Sequence, residues 1–378
     1  MAGADLVVVG AGIVGLAHAW SAARAGRRVT ILDRSARPLG ASVRNFGMFW
    51  PIGQPPGDRL RWALRSRALW LELAERAGFW VSACGSLHLA HRADELTVLS
   101  EFAASGGAGY EVRLLDAGEV RERFPAVRTD GLLGAMFSAT EMAIDPREAV
   151  VSILRCLGGR PGVELRLGEA VVRVGRGFAE TAGGERIGAG AVIVCPGDDL
   201  RSLYPGLFRE AGVRRCKLQM MRTAPQPAGW RLGAHIAGGL SLRHYATFEH
   251  CPSMPGLRAR IAAERPEMDR WGIHVMAAQN ALGELVIGDS HEYAPDFEPG
   301  LHAEIEGLIL SEIARYLDLP RPGITERWAG FYAKHDGGSG VLIAEPEPGV
   351  RVVAGVGGAG MTISFGLAEE VCVSMGLC

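Results

Sequence analysis

Apolar positions along the chain first gather in a short run at residues 6–9, which a glycine-rich turn separates from residues 13–25. In that second segment small and apolar residues recur at helical spacing. Arg27-Arg28 then leads into another apolar run at 29–32, ending on Asp33, so the opening reads as strand, turn, helix and strand. The pattern next predicts a helix over 62–77 stopped by Gly78, a strand over 85–90, and a helix over 93–104 entering a glycine-rich loop. At Asp145-Pro146 it changes again. Pro146 suits the first turn of a helix reaching residue 157, where its missing N–H costs nothing. Strand-like runs follow at 163–167, 171–174 and 191–194, and residues 216–293 are rich in β-like alternation. The clearest part is a hairpin of 272–278 and 285–291 around a turn at 280–283. Residues 303–316 are helical, and 350–354 form a last strand that feeds a glycine-rich turn and a closing helix.

No repeat, low-complexity tract or long linker interrupts these elements. Nucleotide-type units stand at both ends and in the middle, with β-rich insertions between them. The expected organisation is a discontinuous cofactor domain (1–84, 143–215 and 325–378) interleaved with a β-rich substrate domain (85–142 and 216–324). With 378 residues the chain can bury two such cores. Hydrophobic content of 48%, charged content of 22% and a net charge of −2 give no reason to expect nucleic acid or a membrane surface as partner. A local basic pocket for an anionic substrate remains compatible with that balance. The run at 6–20 is no signal peptide, because Asp5 precedes it and Gly10, Gly12 and Gly15 break it. No stretch is long and apolar enough to span a bilayer. The seven cysteines are scattered and never spaced C-x-x-C, so neither a disulfide framework nor a metal site is expected, and a reducing cytoplasm fits best.

Gly10-Ala11-Gly12-Ile13-Val14-Gly15 matches G-x-G-x-x-G directly after a strand and at the start of a helix. Gly10 allows the tight turn, Gly12 lets the backbone approach a diphosphate, and Gly15 lets helix and strand pack closely. The diphosphate would sit on free N–H groups at the helix N-terminus. Asp33, ending the second strand, can accept hydrogen bonds from ribose hydroxyls. Arg34 beside it suits either a 2′-phosphate or plain solvent, so the motif leaves NAD, NADP and FAD undivided.

Three further segments narrow the choice. Gly40-Ala41-Ser42-Val43-Arg44-Asn45-Phe46-Gly47-Met48 resembles the loop that carries the flavin ring in the D-amino-acid oxidase and glycine oxidase family. Ala354-Gly355-Val356-Gly357-Gly358-Ala359-Gly360-Met361-Thr362 resembles that family's final glycine turn, and 191–198, with Cys195 and Gly197, its mid-chain strand and turn. Val171 falls where the family's backbone meets adenine. The resemblance runs the length of the chain and implies an α/β fold with a glutathione-reductase-like Rossmann FAD-binding domain. It also implies FAD, with a helix N-terminus that stabilises the anionic reduced flavin.

The resemblance departs at the substrate. Where the glycine oxidase type carries a Trp-Ala-Gly-Leu-Arg-like segment, this chain has Trp328-Ala329-Gly330-Phe331-Tyr332-Ala333-Lys334. Tyr332 replaces the carboxylate-gripping arginine, which disfavours an ordinary α-amino acid. Lys334 and Arg44 are cations available for an anion. His274 aligns with the family's substrate-facing tyrosine, and His291 lies in the polar stretch Gly288-Asp289-Ser290-His291-Glu292-Tyr293. That stretch and 44–48 resemble a clade associated with aminophosphonate breakdown. The implied reaction is hydride transfer from the carbon of a neutral amine, 2-aminoethylphosphonate or an N-alkyl relative, to flavin N5. The imine would hydrolyse to an aldehyde, and O2 would reoxidise the flavin to give peroxide. No cysteine lies in 328–340, so FAD should be non-covalent. A glycine, sarcosine or D-amino-acid oxidase, a 2-hydroxy-acid dehydrogenase passing electrons to a quinone or protein, and a flavin subunit serving a partner chain stay open.

Overall fold

Leu6 and Val8 point to one face of the first strand and Val7 to the other, and all three are fully buried. An apolar run with no polar alternation marks a strand covered on both sides, as in parallel sheets flanked by further layers. The computed structural model describes residues 3–105 and 109–378 and shows that arrangement. The expected glycine-rich loop after residue 104 lies partly outside the described residues.

The parallel core of the first sheet runs Val163–Leu167, Val29–Asp33, Ala4–Val9, Arg186–Val194 and Val350–Ala354. Antiparallel strands Val171–Gly175 and Phe178–Thr181 extend it beyond Arg186–Val194, and Leu342–Glu347 pairs with the last strand. Helices Ile13–Arg24, Asp58–Ala77, Pro146–Gly158 and Gly360–Ser374 cover one face, sharing a core with Leu6, Val8 and Ile31. Asp145 caps the third of these, its carboxylate accepting from the N–H groups of Arg147 and Glu148. The second helix begins at Asp58, a turn earlier than the apolar spacing predicts, and stops at Gly78 in the left-handed conformation.

A nine-stranded, mostly antiparallel sheet carries the second core. Its centre is the pairing of Arg214–Thr223 with Ile324–Lys334, from Arg214 opposite Lys334 to Thr223 opposite Ile324. The boundary expected at 325 therefore falls inside a strand of this sheet. The hairpin appears as Met276–Gln279 against Leu285–Gly288. Both strands are shorter than expected, so His274 precedes one and His291 follows the other. Asn280 pins the turn by accepting from the N–H groups of Leu282 and Glu284. The stretch 216–293 is not wholly β: it holds helices Met254–Glu264 and Pro266–Arg270. Their signal was Met254, Leu257 and Ile261 at helical spacing, with Pro255 and Pro266 in the first turns.

Trp70 joins two layers of the first core. It is fully buried, meets Phe79 and Phe365 edge to face, and donates its indole N–H to the Met361 carbonyl at 2.8 Å. Trp70→Ala should cost about 3–5 kcal/mol of stability by leaving a cavity and an unpaired carbonyl. Urea unfolding followed by fluorescence measures it.

Candidate active site

The first strand ends on Gly10, whose φ of 107° is open to glycine alone. A Cβ there would lie 2.2 Å from the Cys195 carbonyl oxygen, and one on Gly15 would lie 1.8 Å from the Gly10 oxygen. Two strand ends and a helix thus meet backbone to backbone. Ser42 reaches over from the following loop, its Oγ accepting from the Ile13 N–H at 2.8 Å, which leaves its hydroxyl hydrogen free to donate. Asp33 accepts from the Ala11 N–H at 2.7 Å and from the Ser35 N–H at 2.8 Å. It ties the turn to the second strand, a role absent from the ribose expectation. Arg34 lies at the rim in an exposed pair with Asp199 at 2.6 Å.

An elongated cavity of about 600 Å³ follows this turn. Asp33, Arg34, Val171, Gly10 to Gly15, Ser42, Cys195, Gly197, Gly358 and Gly360 all border it. Asn45 holds the loop by donating to the carbonyls of Ala41 and Ser42 and accepting from the Gly47 N–H. Gly47 has φ of 74°, and a Cβ would lie 2.1 Å from the Ile144 oxygen. From there Met48–Phe49 pairs with Met142–Ile144, which anchors the loop to the body.

A second cavity of about 610 Å³ adjoins the first. Asn45, Phe46, Asp289, Tyr332, Gly358 and Met361 border both, so one ligand face can be presented to each. The N-terminus of Gly360–Ser374 opens here, and Thr362, which accepts from the Trp50 N–H at 3.0 Å, lines the second cavity. Burial raises the Tyr332 phenol well above its ordinary range, so it stays protonated.

His274 and His291 line this second cavity, joined by His244. Burial holds His274 well below the usual imidazole range and brings His291 down to about 4. Burial likewise pushes the Asp289 carboxyl well up. Lys334 is also on the wall, half-exposed, with its ammonium 3.2 Å from Asp336. Arg44 is not: it borders only the first cavity and donates to the Ala329 carbonyl at 3.3 Å, while its own carbonyl accepts from the Trp328 indole. The loop turns it away from the substrate side. In its place stands Arg59, at the start of the second helix. Among the described residues its guanidinium bonds only to neutral oxygens, of Gln54 at 3.0 Å, Ser339 at 3.3 Å and Gly340 at 3.1 Å. Burial lowers it to about 10, so it stays charged at neutral pH. Arg59 and His244 escaped the sequence reading, Arg59 because the helix was expected to start at 62. His244 escaped because its partners are distant in the chain.

The model of the DAO family, described as FAD dependent oxidoreductase, matches residues 5–372. The chain belongs to this family. Its cofactor is accordingly FAD. The glycine oxidase of Geobacillus kaustophilus is 30% identical over 169 residues, covering 40% of this chain and 45% of that one. The monomeric sarcosine oxidase of Streptomyces avermitilis is 26% identical over 219 residues, covering 55% and 54%. The match thus spans about half the length of these curated relatives. The crystal structure of glycine oxidase from Bacillus cereus superposes with a TM-score of 0.77 at 17% identity, covering 99% of this chain and 95% of that one. At that identity the likeness establishes the fold.

The residues present fit FAD: a side-chain-free turn at a helix N-terminus for the diphosphate, Asp33 and Val171 at the nucleotide end, and glycine backbone where the two cavities meet. Gly10→Ala should cut the FAD retained per purified chain at least about tenfold, since the turn must open to admit the methyl group. The ratio of flavin to protein absorbance checks this.

Proposed function

We propose that this chain oxidises a small amine bearing an anionic group, with 2-aminoethylphosphonate or an N-alkyl relative as the favoured substrate. The observation that carries this reading is Arg59. Among the described residues no carboxylate pairs with its guanidinium, which faces the second cavity while still charged. A half-buried cation bonded to neutral oxygens is costly unless an anion completes it. Lys334 adds a point charge on the same wall, partly compensated by Asp336.

When bound, FAD would supply the hydride acceptor for the amine-bearing carbon, with O2 as its proposed reoxidant. The chain's own contribution is placement. Arg59 anchors the anion, and the remaining walls hold the amine end toward the face that both cavities share. Tyr332 presents a protonated phenol there, a neutral donor unable to grip a carboxylate as an arginine does. His274 and His291 form part of the cavity wall. FAD is held without a covalent link: Cys195, the cysteine bordering the cofactor channel, is buried and its thiol is pushed up by that burial. We place the chain in a reducing cytoplasm.

A second reading, oxidation of glycine, sarcosine or a D-amino acid, draws on the activities of the curated relatives. Peroxide release with an amine panel separates the two. Arg59→Gln should raise KM for 2-aminoethylphosphonate about 10–100-fold, the worth of one charge-assisted hydrogen bond, and change kcat less. Lys334→Met should raise KM less, because its charge is already shared. Neither change should affect an uncharged amine. Turnover of glycine or sarcosine, with none of the phosphonate, would establish the second reading.

A further inference from the structure

His244, His274 and His291 come from three separate segments, yet one ring nitrogen of each lies within 4.8 Å of the others. Ring centroids are 3.8 Å apart for His244 and His274, 4.4 Å for His244 and His291, and 5.0 Å for His274 and His291. Imidazoles gathered this closely need hydrogen-bond partners or a shared ligand, and partners are short here. His274 is 3% exposed and its Nδ1 has no hydrogen-bond partner. Asp289 is 5% exposed, and its Oδ1 lies 3.1 Å from His274 Nε2 without the alignment of a hydrogen bond. Its other oxygen is 3.9 Å from His291 Nε2. Each unsatisfied buried group opposes folding.

His291 shows how the cluster is prepared. Its Nδ1 stands 3.1 Å from the Gly272 carbonyl, which can only accept, so Nδ1 carries the hydrogen and Nε2 keeps its lone pair. A backbone carbonyl behind a ring nitrogen is the support that metal-binding histidines receive. Asp289 supplies the carboxylate beside two of the rings.

We propose that His244, His274 and His291, with Asp289 beside them, bind one divalent ion of the zinc class. Nitrogen-rich sets with a single carboxylate select such ions over magnesium or calcium. The ligands of a tetrahedral zinc stand about 3.3 Å apart, so the ring nitrogens must close by up to about 1.5 Å. His244 has the freedom to do so, because its segment opens onto the cavity. The ion would sit in the wall of the second cavity, which Arg59 also borders.

The test uses the full chain loaded with FAD, stripped with a chelator and titrated with zinc chloride by calorimetry, with metal counted by mass spectrometry after gel filtration. About one equivalent per chain is expected. His244→Gln and His291→Gln should each weaken uptake at least about a hundredfold, since outer-shell changes alone cost ten- to a hundredfold. Retained flavin absorbance confirms their fold. Cobalt(II) added to the unmutated chain should give the d–d absorption of a low-coordinate, nitrogen-bound ion, a readout that requires no variant. Less than about a tenth of an equivalent in the unmutated chain, undiminished uptake in both variants, or an octahedral, water-like cobalt spectrum would overturn the site. None of these readouts depends on amine turnover, so they stand or fall apart from the proposed reaction.

Discussion

Where the first strand ends, the Gly10 backbone runs so near the Cys195 carbonyl that a single added carbon would overlap it. The rest of the cofactor channel depends on that approach. It sets two parallel strands side by side, lets the following helix begin against them, and turns its free N–H groups into the channel. Ser42 and Asp33 then hold the same turn from two sides through backbone N–H groups. Electrostatic attraction for a diphosphate follows from this geometry rather than from charged side chains. That is why a chain of nearly balanced charge can hold a strongly anionic cofactor.

The substrate side follows a different economy. Its cavity is built by a long strand pair, the residues flanking a hairpin, and the loop 40–48, with titratable groups supplied by the strand pair and the hairpin flanks. Burial holds His274 and His291 neutral, and among the described residues the charged Arg59 guanidinium on the cavity has no carboxylate partner. Tyr332 and Arg59 border the same cavity. In the proposed reading Arg59 takes over the role of cationic anchor, and the substrate's anion and its reacting carbon would stand in a different relation from those of an α-amino acid.

The fold was legible in the sequence because its signals are local. The fingerprint, the capping pair Asp145-Pro146, the stop at Gly78 and the turn at Asn280 each act within a few residues. Most of the residues expected at the cofactor line one cavity, and their signals are local too. The substrate side was not, because it is assembled from afar. Arg59 reads as an ordinary helix-start arginine until the segment around Ser339 and Gly340 is folded against it. Arg44 sits in the expected loop, but the loop's direction, set by Asn45 and Gly47, points it elsewhere. His244 has no neighbour in sequence that hints at chemistry. The helices within 216–293 were hidden by the strands on either side of them.

The central claim is that an amine with an anionic tail delivers electrons to the flavin from the cavity Arg59 borders. Anaerobic stopped-flow mixing of the FAD-loaded chain with 2-aminoethylphosphonate tests it most directly. The account predicts that the oxidised flavin band bleaches in a single turnover, with a rate that saturates in substrate. It also predicts that Arg59→Gln shifts the half-saturating concentration upward and leaves the limiting rate nearly unchanged. A flavin that stays oxidised with that amine and its N-methyl form, yet bleaches with glycine or sarcosine, would contradict it.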